Sequence, residues 1–211
     1  MAIATLFFVA CGPQEVKAPF SGTNFVQVNM EGSQKYGVKT LAGEVIVPME
    51  YSKPKFYDKS FFLVSDSSGK LLVFDTKGKI VIPASSVIKY IEPENHFAVS
   101  NGNTKGIFFI KEGVYIEGYQ EIAIDALGNL SVKKADKYGV ISRKGTAIIP
   151  VEYDKIATVG KEYITLKPKG KPALYDKKGN IVWNAAELKI FDSGGKFIKN
   201  APLKEAQKAF K

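Results

Sequence analysis

Apolar residues along this chain come in short runs of three to five, and no run between residues 25 and 195 keeps a helical period. The runs are rich in Val, Ile, Phe and Tyr and are bounded by Gly, Asn, Asp and Lys, the composition of short strands and tight turns. They also recur. Aligned on the glycine of a polar turn (Gly43, Gly78, Gly113, Gly145, Gly179), the chain repeats in steps of 35, 35, 32 and 34 residues. After these glycines come "EVIV", "KIVI", "VYIE", "TAII" and "NIVW"; before them come "YGVKT", "LLVFD", "GIFFI", "YGVIS" and "ALYD". Further upstream stand "FVQV", "FFLV", "FAV", "LSV" and "YITL".

This pattern predicts an all-β chain of about five three-stranded units near residues 25–57, 61–92, 96–125, 129–160 and 162–195, each ending in a tail such as "MEYSKP". Links such as Asp75–Gly78 and Asp176–Gly179 suit hairpins whose glycine is left-handed. Pro48, Pro83 and Pro150 are expected to end the third strand, because proline cannot donate to a ladder. Three strands alone bury little, so stability is expected from unit stacking on unit. The short period favours an open superhelical, solenoid-like array, with a propeller-like ring as the alternative. "GKFIKN" at 195–200 mimics "GKEYIT" at 160–165, as though a sixth unit began there. Residues 200–211 read as a short capping helix: Asn200 can cap it, and Leu203, Ala206 and Phe210 share a face.

Two copies are nearly identical in design: Tyr36-Gly37-Val38 with Ile46-Val47-Pro48 and Glu50-Tyr51, and Tyr138-Gly139-Val140 with Ile148-Ile149-Pro150 and Glu152-Tyr153-Asp154. On these residues the chain resembles the WG-repeat (Trp-Gly) family of tandem β repeats, over about residues 25–195. Tyrosine replaces the family's tryptophan in units one and four; the sole Trp183 lies elsewhere. The resemblance implies a repeat architecture and no particular activity. The glycine is expected where a neighbouring backbone approaches closely. Tyr36 and Tyr138 read as core more than as a row for stacking a ligand.

The amino terminus differs in kind. Residues 2–10 are uncharged and mostly apolar, too short a stretch to span a bilayer and shaped like a secretion signal. Phe8-Val9-Ala10-Cys11 resembles the lipobox of bacterial lipoproteins, with phenylalanine where leucine is commonest. That resemblance implies a signal peptide over 1–10, lipid attachment at Cys11 and a tether over 11–24. Gly12 rather than aspartate after the cysteine resembles lipoproteins of the outer membrane or cell surface rather than the inner membrane.

Charge and candidate chemistry change this picture little. Of 30 basic residues only Arg143 is an arginine, so the formal charge of +9 reads as a solvated lysine surface without specific nucleic-acid recognition. One histidine, His96, and one cysteine provide no set of zinc ligands, and neither a metal nor a cofactor is expected. Paired carboxylates for a carbohydrate hydrolase would come from Glu50, Glu152 and Asp154, but their recurrence in the repeat favours scaffold. The chain is thus expected to be a non-enzymatic, lipid-anchored envelope protein binding a protein or glycan. A hydrolase, or a lysine-mediated binder of polyanions or membrane surfaces, is the alternative. Its binding residues are not fixed by the sequence, beyond the variable loops "SDSSGK", "SNGNTKG" and "KPKGKP".

Overall fold

The computed structural model describes residues 13–168, 186–201 and 208–209. Among these, twenty strands form five four-stranded sheets, each an open meander in which chain order and spatial order coincide. The first contains β1 (Glu15–Pro19), β2 (Phe25–Met30), β3 (Tyr36–Thr40) and β4 (Val45–Tyr51). The second contains β5 (Lys55–Tyr57), β6 (Phe61–Ser65), β7 (Leu71–Asp75) and β8 (Ile80–Ser85). The third contains β9 (Val87–Ile91), β10 (His96–Asn101), β11 (Thr104–Phe109) and β12 (Val114–Tyr119). The fourth contains β13 (Glu121–Ile124), β14 (Leu130–Lys134), β15 (Lys137–Ile141) and β16 (Ala147–Tyr153). The fifth contains β17 (Lys155–Val159), β18 (Glu162–Pro168), β19 (Ala186–Asp192) and β20 (Phe197–Asn200).

The all-β repeat is as expected, with one strand more per unit. Each tail supplies the first strand of the next sheet, as Lys55–Tyr57 does after "MEYSKP". The prolines do not end strands. β4 runs through Pro48 and β16 through Pro150, because each proline sits in a bulge where the ladder needs no donor. Across the bulge Val38 faces Val47 and Tyr36 faces Tyr51; Val140 and Tyr138 likewise face Ile149 and Tyr153. The glycine between them takes the close approach. A Cβ on Gly37 would lie 2.6 Å from the Val47 carbonyl oxygen, and one on Gly139 would lie 2.6 Å from the Val151 side chain. The crowding comes from the partner strand of the same sheet.

Residues 15–19, inside the expected tether, pair along their whole length with β2. Phe197–Asn200 close the fifth sheet rather than opening a sixth unit, since β20 pairs with β19 across the turn Asp192–Lys196. The second and third strands expected for unit five ("ALYD", "NIVW"), Trp183 and the turn Asp176–Gly179 lie outside the described residues.

Two compact units divide the chain, residues 1–88 and 89–211. In the first, Val38, Ile46 and Val47 of one sheet pack on Phe62, Val64, Leu72 and Phe74 of the next. Phe20 and Phe25 flank the first turn, and both rings meet Phe56 and Phe62, which stack at 4.5 Å. In the second unit, Ile107, Phe109 and Ile116 pack on Leu130, Val132 and Ile141, while Val140, Ile149 and Tyr153 pack on Tyr163 and Phe191. The far face of the last sheet (Ile164, Leu166, Leu188, Ile190) is covered by Ala201 and by Ala209. Lys208 and Ala209 are helical; the rest of the expected capping helix is outside the described residues, and Asn200 ends β20 instead of capping it.

At two joins, second sheet on first and fifth on fourth, the turn between third and fourth strands docks one sheet on its neighbour. Asp75 Oδ1 accepts from the Lys77 and Lys79 amides, both at 2.9 Å, and Asp192 Oδ1 does the same for Gly194 and Lys196. This fixes the following glycine left-handed, with φ +80° at Gly78 and +85° at Gly195. The bare Gly78 faces the Ile46 carbonyl of the sheet before it, and Gly195 faces that of Ile148 more closely still. Gly43, with φ +95°, makes the same turn and faces nothing within 4 Å. Alanine at either position strains the backbone by about 1–2 kcal/mol. Gly195→Ala is expected to lose roughly 1–3 kcal/mol more than Gly43→Ala, from overpacking against β16. Urea denaturation of the two variants measures the difference, and equal losses would refute the docking role.

Candidate functional site

A set of polar contacts links turns of the second unit. The β13–β14 turn is built by Asp125, whose Oδ1 accepts from the Leu127 amide at 2.8 Å and the Asn129 amide at 3.1 Å. That leaves Oδ2 free to reach outward. It accepts from the Tyr163 hydroxyl of β18 at 2.7 Å. Asn129 Nδ2 donates to the same hydroxyl at 2.9 Å and to the Ser193 carbonyl of the β19–β20 turn at 3.2 Å. Fourth and fifth sheets are thus joined by a closed set of hydrogen bonds.

Tyr163 is fully buried. Burial is the main reason its phenol is pushed far above the usual range; Asp125 adds to this and Asn129 opposes it. The hydroxyl is held neutral, so it donates to the carboxylate instead of repelling it.

Next to this set stands Arg143, in the β15–β16 turn. Its Nε donates to the Gly128 carbonyl at 3.0 Å, and its guanidinium carbon lies 5.1 Å from the centre of the Phe109 ring. His96 lies 5.9 Å from the same ring, buried, with no hydrogen-bond partner for Nδ1. The chain's only arginine and only histidine therefore share one phenylalanine. The arrangement can bind sheets together.

Of the carboxylates expected of a hydrolase, Glu50 lies in the first unit and Glu152 and Asp154 in the second. Glu50 is exposed on β4, and Glu152 is exposed on β16. Asp154 forms an ion pair with Lys137 at 3.0 Å. Tyr36 and Tyr138 are half-buried, and the Lys133 ammonium lies 5.5 Å from the centre of the Tyr138 ring. Among the described residues no group of three His, Cys, Asp or Glu could hold a metal ion. Cys11 lies outside the described residues.

The loops singled out from the sequence share one place in the design. "SDSSGK" joins β6 to β7 and "SNGNTKG" joins β10 to β11, each connecting the second strand of a sheet to the third. "KPKGKP" starts at the end of β18 and continues outside the described residues. Asp66 is used up by its own turn, accepting from Ser68 Oγ at 2.7 Å and from the Ser68 and Lys70 amides. These bonds, that of Ser68 first, hold its carboxyl below the usual range.

Sequence reasoning missed Tyr163, Asp125 and Asn129. A signal was present: by ladder register Tyr163 occupies the position of Val26, Phe62, Phe97 and Leu130, and it alone carries a hydroxyl there.

Residues 138–164 match the family model "WG containing repeat". One copy of the repeat, about an eighth of the chain, is thus similar to a WG-containing repeat. The matched stretch begins at Tyr138-Gly139 and runs on through Tyr163. No curated protein matches. Among solved structures the chain is similar to Kluyveromyces lactis Hsv2, at 9% identity and TM-score 0.31, covering 84% of this chain and 60% of that one. It is similar also to the Neurospora crassa Pan2 WD40 domain, at 13% identity and TM-score 0.31, covering 90% and 66%. A eukaryotic initiation factor follows at 12% identity and TM-score 0.30, covering 89% and 65%. The chain spans 60–66% of the length of these structures, and likenesses this loose carry no argument about activity.

Removing the Tyr163 hydroxyl strands Asp125 Oδ2 and one donor of Asn129. Tyr163→Phe is expected to cost about 1–2 kcal/mol, and the double-mutant cycle with Asp125→Ala to show coupling of about 0.5–3 kcal/mol. Linkage gives the sign with pH. The raised folded-state value keeps the phenol's contribution intact below pH 10 and removes it as pH rises further, so wild type should lose more stability than Tyr163→Phe in strong alkali.

Proposed function

We propose that the chain is a non-enzymatic binding scaffold, anchored in a bacterial envelope through a lipid on Cys11. Its partner is a protein or a glycan. The observation that carries this reading is the repetition of one meander five times, with the variable residues in the loops that join second to third strands. Repeated sheets offer many similar loops, which suits a partner that is contacted at several points. The carboxylates support the same reading. Glu50 and Glu152 stand at corresponding repeat positions, one residue before Tyr51 and Tyr153, and Asp154 is engaged by Lys137. A catalytic pair needs to occur only once.

The pairing of β1 sharpens the anchoring proposal. Glu15 is fixed opposite Met30 and ion-paired to Lys39. Only four residue steps separate it from Cys11, a reach of at most about 14 Å. A lipid at Cys11 would hold the first sheet against the bilayer instead of letting the protein range on a long tether.

Growth with a clickable fatty acid tests the anchor: label is expected on wild type and not on Cys11→Ala, and label persisting on the variant would refute it. Crosslinking in intact cells tests the scaffold. Capture of one protein or glycan species, lost when loop 66–70 is replaced, is expected. Hydrolytic turnover abolished by Glu152→Gln in a folded protein would overturn the reading.

A further inference from the structure

We propose that His96, Phe109 and Arg143 form an acid-sensitive joint between the third and fourth sheets. His96 begins β10 and faces Phe109 of β11 in the ladder, so its ring lies at the face that packs on Leu130, Val132 and Ile141. Its side chain is nearly enclosed, with the residue 7% exposed, and Nδ1 has no partner. Enclosure favours the neutral imidazole, because charging the ring there costs the hydration it would have in water. From the fourth sheet, the Arg143 guanidinium already sits over the same Phe109 ring. Protonating His96 places a second cation against the Phe109 ring that already carries the Arg143 guanidinium.

The charged groups facing the imidazole are Glu94, in the turn before β10, and Arg143. Burial is the largest influence and disfavours the charged ring; Glu94 opposes this through its carboxylate and backbone, and Arg143 reinforces it. The net effect lowers the ring's proton affinity below its usual value of 6.5. The sign follows. Above 6.5 the ring is neutral folded or unfolded, and the joint is intact. As pH falls below 6.5 the open form takes up the proton first, so the joint weakens until the folded-state value is passed. The turn carrying Arg143 is the part released, because its hold on Phe109 is what the new charge opposes. This behaviour stands whether or not the chain is a scaffold.

The full chain contains a single histidine, so its imidazole resonances report this site directly. The experiment titrates them by NMR between about pH 8 and 4.5 while following amide exchange in β14–β16, corrected for intrinsic exchange chemistry. The expected result is titration below 6.5, with the opening constant rising by up to about tenfold per pH unit in that window. His96→Gln should abolish the rise. Arg143→Gln should move the His96 titration upward and shrink the rise, which keeps the test decisive if His96→Gln does not fold. Titration at the ordinary value with unchanged exchange, or the same pH dependence in His96→Gln, would overturn the proposal.

Discussion

Everything in this structure depends on the packing of one sheet face upon the next. A four-stranded meander of some thirty residues is apolar on both sides, and neither side can be covered by the sheet itself. Val38 and Val47 find Phe62 and Phe74; Ile107 and Ile116 find Leu130 and Ile141; Val140 and Ile149 find Tyr163 and Phe191. The same positions in the ladder meet each time, so one solution is reused with different side chains. Fully burying each of these residues contributes about 1.5–3 kcal/mol, against chain entropy of similar total size. At two joins a bare glycine in the turn between third and fourth strands, Gly78 or Gly195, permits backbone contact that a side chain would prevent.

Much of this was legible in residue order because it is local. Strand runs, left-handed turn glycines and the recurrence near thirty-four residues each leave a mark within a dozen positions. The first strand of each sheet was not legible as such. "KFY" and "EIAI" are short, and the proline upstream in "IVP" and "IIP" reads as a stop unless the bulge is known. The bulge is a property of the pair: Gly139 and Pro150 lie on different strands, and neither alone signals that extra residues are accommodated there. The same limit applied at the amino terminus, where "EVKAP" has little apolar pattern. It becomes a strand because β2 offers an edge and Lys39 offers Glu15 a charge.

The candidate site shows why unusual residues do not always mean chemistry. Arg143, Glu152, Asp154 and His96 were the conspicuous side chains by type. In the fold Asp154 is engaged by a lysine, while Arg143 and His96, from different sheets, both lie against Phe109. The polar network joining the fourth and fifth sheets uses a tyrosine that in sequence is one more strand aromatic. Only its alignment with Phe62 and Phe97 reveals the added hydroxyl. A polar bond in place of a purely apolar contact fixes how two sheets meet.

The claim that stability resides in the joins is tested most directly by hydrogen exchange on the full chain carrying Ile149→Ala. Ile149 belongs to β16 and is buried against Tyr163 and Phe191 of the fifth sheet. The account predicts faster exchange in β18 and β19 as well as in β15 and β16, because the cavity weakens a shared face. Acceleration confined to β15 and β16, with the fifth sheet as protected as in wild type, would contradict it.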